Sequence, residues 1–181
     1  MSRLKTILSE NMQGHANELY AAIRQVMDGI VPNVYLGLDN SPQVLKAYLQ
    51  ADDCLSKGNL SGSEREVIAL VVSQGNRCEY CLAAHTLVGG KHSLKRDQIR
   101  AIRCGHPQEA KIAALVTFVQ AIISQQGAVS DQELADFKLA GYSDAQVPDV
   151  ILTIAMTVFT NYFNHAHQTV VDFPKVESIQ P

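Results

Sequence analysis

The sequence has no excess of basic residues, no long apolar segment and no run of alternating apolar and polar residues. Its 15 Lys and Arg residues against 18 Asp and Glu residues give a net charge of −3, which argues against nucleic acid or an acidic membrane surface as a main partner. The uncharged run from Val150 to Asn164 falls short of the ~20 residues that span a bilayer and predicts a buried helix. Residues 1–15 lack the apolar stretch of a signal peptide. We therefore expect a soluble, cytoplasmic protein.

The recurring helical period, without strand alternation, indicates an all-α fold. Hydrophobic residues make up 46% of the chain, which excludes a disordered or fibrous protein. Helix starts are marked by capping-box patterns such as Ser130-x-x-Glu133, and glycines end several helices. The pattern predicts a single-domain bundle of about eight helices, with residues 1–40 as an N-terminal helix or arm packed on a core of residues 41–181.

The chain has only four cysteines, and two of them form a close pair. In a reducing cytosol this count does not imply a disulfide framework. Cys54 and Cys104 stand alone in helical patterns, so we expect both to be small buried apolar residues. Cys78 and Cys81 lie three residues apart, a spacing that is typical of a metal site or a redox site in a cytosolic protein.

A predicted helical hairpin brings a carboxylate of its first helix level with an imidazole of its second helix, which also carries the cysteine pair. Two helices joined at residues 75–77 must run antiparallel because the link is short. Glu66 and His85 lie nine and eight residues from the two ends of that link, so each sits about 12 Å from the turn. On the second helix, Cys78, Cys81 and His85 follow i, i+3 and i+7, which is one stripe. The four side chains can therefore line one pocket.

These residue types suit a reactive thiolate. An ordinary cysteine is mostly protonated near pH 7, and the thiolate is the nucleophile. A helix N-terminus, the charge of Arg77 and a proton-accepting His85 each favour the thiolate. Glu66 can hold the other imidazole nitrogen, which completes the pattern of nucleophile, base and orienting group. The second cysteine can then condense with the oxidised first one to form a disulfide.

Glu66 has a structural alternative, because it could close a capping box with Ser63. Ser61-x-x-Glu64 offers a second box two residues earlier, which would leave Glu66 free for chemistry.

The pair of Cys78 and Cys81 has other interpretations than a peroxide-reducing site. Cys78, Cys81 and His85 could bind zinc, with a fourth ligand from Glu66, His92 or His165, although no second close Cys/His pair is evident. The same Cys-x-x-Cys would also suit a protein that exchanges disulfides with other proteins, and a non-catalytic helical interaction domain stays open.

The segment from Glu66 to His85 resembles the alkylhydroperoxidase D-like branch of the carboxymuconolactone decarboxylase family. The shared pattern is a glutamate, eleven residues and Cys-x-x-Cys-x-x-x-His, here Glu66, Cys78, Cys81 and His85. Weaker similarity extends over most of the chain. The resemblance implies an all-α fold, a homo-oligomer (trimer or hexamer) and cysteine-based peroxide reduction with no bound cofactor. It also implies re-reduction by a lipoyl group or another thiol of an unidentified partner protein.

The cysteine pair separates this chain from true carboxymuconolactone decarboxylases, which lack it, and favours the redox branch. One position departs from the pattern: alkylhydroperoxidase D has a histidine between the cysteines, where this chain has Tyr80. Two arguments disagree on which cysteine attacks first. The helix N-terminus favours Cys78 as the more acidic thiol, while closeness to His85 favours Cys81. The family resemblance also favours Cys81. We therefore predict that Cys81 attacks the peroxide, that Cys78 resolves the sulfenic acid, and that His85 and Glu66 supply and remove protons.

Overall fold

Nine helices make up the secondary structure of the part of the chain that the structure, a computed structural model, describes: residues 2–5, 15–27 and 29–179. No strand occurs in those ranges, so the all-α prediction is confirmed. In chain order the helices are α1 His15–Val26, α2 Asn33–Leu38, α3 Pro42–Ser56, α4 Gly62–Gly75, α5 Glu79–Lys91, α6 Arg96–Arg103, α7 Ala110–Ser124, α8 Asp131–Leu139 and α9 Gln146–His167.

The helix that the sequence did not predict is α2. Its six residues, NVYLGL, contain a glycine and follow Pro32, which makes no side-chain capping bond. A segment this short gives no helical period to detect. It forms because Val34, Gly37 and Leu38 are buried against the rest of the domain.

Helix α4 is the centre of the molecule and packs against α5, α6, α7 and α9. It starts at a capping box in which Ser61 accepts a hydrogen bond from the Glu64 amide and the Glu64 carboxylate accepts one from Ser61 N. Apolar side chains cover it on most sides, and eight of its residues are buried. Because it is surrounded, α4 provides a rigid base for any group that it carries toward α5.

The segments at both ends of the described chain lie against the helices. Arg3 N donates to His167 O at 2.8 Å, and Leu4 N donates to His167 Nδ1 at 3.2 Å. At the other end, Gln74 and Arg103 donate to backbone carbonyls of the segment 169–179. The expected division into residues 1–40 and 41–181 stays a prediction, and residues 1, 6–14 and 28 of that arm lie outside the described ranges.

Two sequence expectations about burial were wrong. Cys54 and Cys104 are exposed rather than buried, because Cys54 lies off the buried face of α3 and Cys104 is the C-terminal cap of α6. The segment Val150–Asn164 is only half buried, since Phe159 and three other large apolar side chains of α9 face outward. None of the helices in the described ranges is both long and apolar enough to cross a bilayer.

Candidate active site

The link between α4 and α5 is a tight turn that sets the position of the first cysteine. Asn76 caps the end of α4, and Arg77 takes a left-handed backbone conformation with φ 54°. This reverses the chain within two residues, so that Cys78 N donates to Ser73 O at 3.0 Å. Cys78 is thereby placed at the N-cap of α5, where the unpaired amides and the positive end of the helix dipole lie.

The two sulfurs of the pair are in direct contact. The Cys78 thiol donates a hydrogen bond to Cys81 Sγ at 2.8 Å. Cys78 Sγ in turn accepts from the Cys81 backbone amide at 3.4 Å, which is the capping bond of α5. Cys78 is 2% exposed and Cys81 3%, so neither sulfur is open to a large partner.

Glu66 and His85 form an ion pair across the hairpin. Glu66 Oε2 lies 2.9 Å from His85 Nδ1, and the two side chains are 13% and 24% exposed. Because Glu64 rather than Glu66 closes the capping box with Ser61, the Glu66 carboxylate is available to the imidazole. Burial works against charge on His85, but the adjacent Glu66 carboxylate outweighs it and raises the pKa of His85.

The surroundings push the acidities of the two thiols apart. The hydrogen bond from Cys78 is the main cause that lowers the pKa of Cys81; burial opposes it, and His85 and two side-chain amides of α9 add to it. The same hydrogen bond, together with burial, raises the pKa of Cys78. Arg77, which the sequence offered as a charge beside the thiols, is exposed and is not a main cause of either shift. Both directions favour Cys81 as the thiolate.

Helix α9 supplies polar groups to the site, and among them sequence reasoning missed Asn164. Asn164 Nδ2 donates to Cys81 Sγ at 3.2 Å. One turn earlier, Asn161 donates to Ser73 Oγ at 3.2 Å and accepts from Asn76 Nδ2 at 3.0 Å, which ties α9 to the hairpin. The available signal was the pair of asparagines three apart in an otherwise apolar segment. His165, considered from the sequence and left outside the catalytic set, is exposed and contacts Asn76 O at 3.0 Å.

Tyr80, which stands between the cysteines, is engaged elsewhere. Its hydroxyl accepts a hydrogen bond from Val34 N of α2 at 3.1 Å, and its ring packs edge-on against Phe173 with centroids 5.4 Å apart. The side chain is buried. Tyr80 therefore joins the turn that carries the cysteines to α2 and to the C-terminal segment, and its hydroxyl already has a partner there.

An aromatic group lies on the α2–α3 side of the site. The rings of Tyr35 and Tyr48 have centroids 6.1 Å apart, and Tyr48 stands 6.1 Å from Phe159 of α9. Burial raises the pKa of Tyr48, and the nearby charges of Cys81 and Glu66 act in the same direction. These rings give the site a largely apolar wall that disfavours additional negative charge.

The zinc alternative finds no cluster to support it in the described ranges. No group of three or more His, Cys, Asp and Glu side chains there has the arrangement of a metal site. His92 lies against Gly62 at the start of α4, and His165 contacts Asn76 O. Neither histidine offered by the sequence as a fourth ligand contacts the sulfurs.

A family model matches the part of the chain that carries these residues. Residues 42–114 match the model of the carboxymuconolactone decarboxylase family, and that span contains Glu66, Cys78, Cys81 and His85. The resemblance predicted from the sequence is confirmed. A search of curated proteins found no match.

Solved structures of the same fold cover nearly the whole chain. An uncharacterized peroxidase-related protein from Silicibacter sp. TM1040 has a TM-score of 0.82 at 21% identity over 93% of this chain and 91% of that chain. An alkylhydroperoxidase AhpD core protein, an uncharacterized peroxidase-related protein from Ralstonia eutropha JMP134, has 0.83 at 22% over 94% and 92%. A cysteine-to-alanine variant of the debrominase Bmp8, in complex with 2,3,4-tribromopyrrole, has 0.79 at 16% over 95% and 94%. At these identities the likeness establishes a common fold.

Proposed function

We propose, from the match of residues 42–114 to the model of the carboxymuconolactone decarboxylase family, that this protein is a thiol-dependent peroxidase. It reduces hydrogen peroxide or an organic hydroperoxide through the Cys78–Cys81 dithiol, with His85 and Glu66 as the proton relay. The observation that carries the proposal is the 2.8 Å hydrogen bond from the Cys78 thiol to Cys81 Sγ. It supports Cys81 as the stabilised thiolate and Cys78 as the thiol that resolves the Cys81 sulfenic acid.

The first step is attack of the Cys81 thiolate on the peroxide. An S–O bond forms, the O–O bond breaks, and sulfur supplies the two electrons. The electron pair of the broken bond leaves on the alkoxide or hydroxide, which takes a proton from the His85 imidazolium. Glu66 stabilises that imidazolium beforehand through its 2.9 Å contact. The products are the Cys81 sulfenic acid and an alcohol or water.

The second step closes the disulfide. Cys78 sulfur attacks Cys81 sulfur, its proton passes to the departing hydroxyl, and water leaves. The neutral His85 accepts a proton from solvent to restore the relay. The reduced, dithiol form of a lipoyl group, or two thiols of an unidentified partner protein, then reduces the disulfide by exchange; the reductant becomes a disulfide and both cysteine thiols return.

Burial argues against the rival activity of exchanging disulfides with folded proteins. With both sulfurs at 3% exposure or less, an attacking thiolate cannot reach a disulfide on a large surface, whereas a small peroxide needs far less space. For the same reason, a dithiol on a long flexible side chain, such as a reduced lipoyl group, is a better reductant for this disulfide than a cysteine on the surface of a folded protein.

One protein of similar structure suggests a second class of electrophilic substrate for the thiolate. Bmp8 is a debrominase crystallised with 2,3,4-tribromopyrrole, and a thiolate that attacks peroxide oxygen can also attack polarisable bromine. Tribromopyrrole therefore belongs in the assay beside the peroxides. Faster thiol oxidation by the bromopyrrole than by any hydroperoxide would move the proposal from peroxidase to dehalogenase.

The deciding experiment is peroxide consumption with dithiothreitol as reductant. We expect activity in the wild type, its loss in Cys81→Ser and a large reduction in His85→Ala, because thiolate and proton donor are both required. Cys104→Ser is the matched control, since Cys104 is exposed and remote in sequence from the pair. Equal rates in all four proteins would remove the proposal, and stoichiometric zinc that blocks thiol labelling would replace it with the metal site.

We extend the proposal to a cytoplasmic homo-oligomer, a trimer or hexamer. Outward apolar side chains on α9, which include Ile151, Leu152 and Phe159, supply a surface suited to contacts between copies. Light-scattering mass in solution tests it, and a monomeric mass at micromolar concentration would contradict it.

A further inference from the structure

Asn164 is a buried residue whose side-chain nitrogen makes a hydrogen bond and whose side-chain oxygen does not. The residue is 5% exposed. Its Nδ2 donates to Cys81 Sγ at 3.2 Å, while its Oδ1 is buried and has no hydrogen-bond partner among residues 2–5, 15–27 and 29–179. Buried acceptors without partners are rare and unfavourable in folded proteins, so this oxygen points to a donor that arrives with a ligand.

The covalent shape of the amide determines where such a donor must sit. Oxygen and nitrogen are attached to the same carbon, so the partner of Oδ1 lies beside the partner of Nδ2. The partner of Nδ2 is the Cys81 sulfur. A group that donates to Oδ1 is therefore held next to the nucleophile, inside a site whose other walls are the aromatic side chains of α2, α3 and α9.

We propose that Asn164 is a catalytic residue that holds both reacting groups at once: Nδ2 holds the Cys81 thiolate, and Oδ1 accepts the terminal O–H of the hydroperoxide. This inference rests on the proposed peroxidase function. It assigns to α9 a direct part in substrate binding that the Glu–Cys–Cys–His pattern does not contain.

The assignment agrees with the chemistry of the attack. In a hydroperoxide R–O–O–H the thiolate attacks the oxygen that carries hydrogen, and the electron pair of the O–O bond leaves with R–O⁻. The O–H bond is not broken, so the hydrogen that donates to Asn164 Oδ1 in the substrate is the hydrogen of the Cys81–S–O–H product. The same hydrogen bond can thus persist from substrate to sulfenic acid, and the proton for R–O⁻ comes from His85.

Asn161, at the same end of α9, is an asparagine whose amide oxygen and nitrogen both have protein partners. It donates to Ser73 Oγ, and its Oδ1 accepts from Asn76 Nδ2 at 3.0 Å. Both ends of that amide join helix to hairpin. Asn164, three residues later, leaves its oxygen unpaired beside the nucleophile.

The test compares two electrophiles in a Cys78→Ser background, where the sulfenic acid accumulates. Oxidation of Cys81 by cumene hydroperoxide is measured against its reaction with methyl methanethiosulfonate, a small thiol reagent with no hydrogen-bond donor. Both rates are taken at a pH where titration at 240 nm shows the thiolate fully formed. With Asn164→Ala we expect the hydroperoxide rate to fall about tenfold, as for loss of one hydrogen bond, while the thiosulfonate rate changes less than about twofold.

Two further variants complete the design. Asn164→Asp retains the acceptor but not the donor, so we expect a higher thiolate pKa and a ratio of the two rates close to that of the parent. His165→Ala, the adjacent exposed residue of α9, should leave the ratio unchanged. A proportional fall of both rates in Asn164→Ala would overturn the role of Asn164 and leave the peroxidase standing. If the parent protein forms no sulfenic acid with hydroperoxide while still reacting with the thiosulfonate, the proposed function falls and this inference with it.

Discussion

Cys78 donates its thiol hydrogen to Cys81 across 2.8 Å, so the two sulfurs of the pair are chemically unequal before any substrate arrives. The donor is held at the N-cap of α5, and the acceptor lies one turn into the helix. A thiol that gives its hydrogen bond to another sulfur becomes harder to ionise, and the sulfur that receives it becomes easier to ionise. The direction of this bond therefore favours Cys81 over Cys78 as the thiolate.

The first prediction concerns which cysteine is oxidised. In Cys78→Ser, hydrogen peroxide should produce a sulfenic acid that dimedone traps at Cys81, because no thiol remains to resolve it. In Cys81→Ser, burial still acts to raise the pKa of Cys78, so Cys78 should give little adduct. Mass spectrometry of the labelled peptides reads the outcome. An adduct in Cys81→Ser but none in Cys78→Ser would reverse the two roles.

The second prediction concerns the pH dependence of peroxide reduction. Attack needs the Cys81 thiolate, whose pKa is lowered, and the His85 imidazolium, whose pKa is raised. The rate should therefore rise with pH through the lower apparent pKa and fall through the higher one. Glu66→Gln removes the carboxylate that raises the pKa of His85, so the falling limb should move to lower pH. A falling limb that stays in place would show that Glu66 does not set the charge of His85.

The same ion pair predicts a pH-dependent part of the stability. A histidine whose folded pKa is raised stabilises the fold at pH values below its unfolded pKa of about 6.5. That contribution is lost as the pH rises through the folded pKa. Urea unfolding of wild type and Glu66→Gln should therefore differ most in the acidic range and converge in the alkaline range. A difference that grows with rising pH would contradict the assignment.

A further prediction concerns Tyr80. Tyr80→Phe removes the acceptor of the buried Val34 amide, and leaving that donor unpaired should lower the free energy of unfolding by about 1–3 kcal/mol. The alkylation rate of Cys81 should change little, because the hydroxyl bonds to α2 rather than to sulfur. Urea unfolding and thiol alkylation measure the two effects separately. A slow-reacting Cys81 in a fully stable Tyr80→Phe protein would instead place the hydroxyl in the proton relay.

The last prediction uses the capping boxes of α4 and α8. Ser61→Ala and Ser130→Ala each remove a side chain that accepts from the amide of the third helical residue, so each should lower the unfolding free energy by about 1 kcal/mol. The boxes differ in that Glu64 also contacts Lys111 at 3.1 Å. Chemical denaturation compares them. Of the two variants, only Ser61→Ala should also alter Cys81 reactivity, since α4 carries Glu66.

Most of the fold and half of the site were predictable because their causes are local in sequence. Capping boxes mark where α4 and α8 begin, and the short link after Gly75 requires α4 and α5 to be antiparallel. Once the hairpin is given, the level of Glu66 against His85 follows from helical rise alone. The helices that the sequence indicated are long enough to show a helical period, whereas α2 has only six residues.

What the sequence could not provide depends on packing between distant segments. Asn164 contacts Cys81 from 83 residues away, and no spacing rule links α9 to the hairpin. Exposure of Cys54 and Cys104 depends on which faces of α3 and α6 meet the core, which their own residues do not decide. The direction of the Cys78–Cys81 hydrogen bond is likewise a tertiary outcome, since the N-cap position taken alone favours Cys78.

The two asparagines of α9 have a consequence for the nucleophile under changing conditions. Their amides are neutral and have no proton to gain or lose in the physiological range. The support that His85 gives the Cys81 thiolate disappears when the imidazole loses its charge, but the support from Asn164 and Asn161 does not. The hydrogen bonds from helix α9 therefore stabilise the Cys81 thiolate at every pH in this range, including pH values at which His85 has lost its proton.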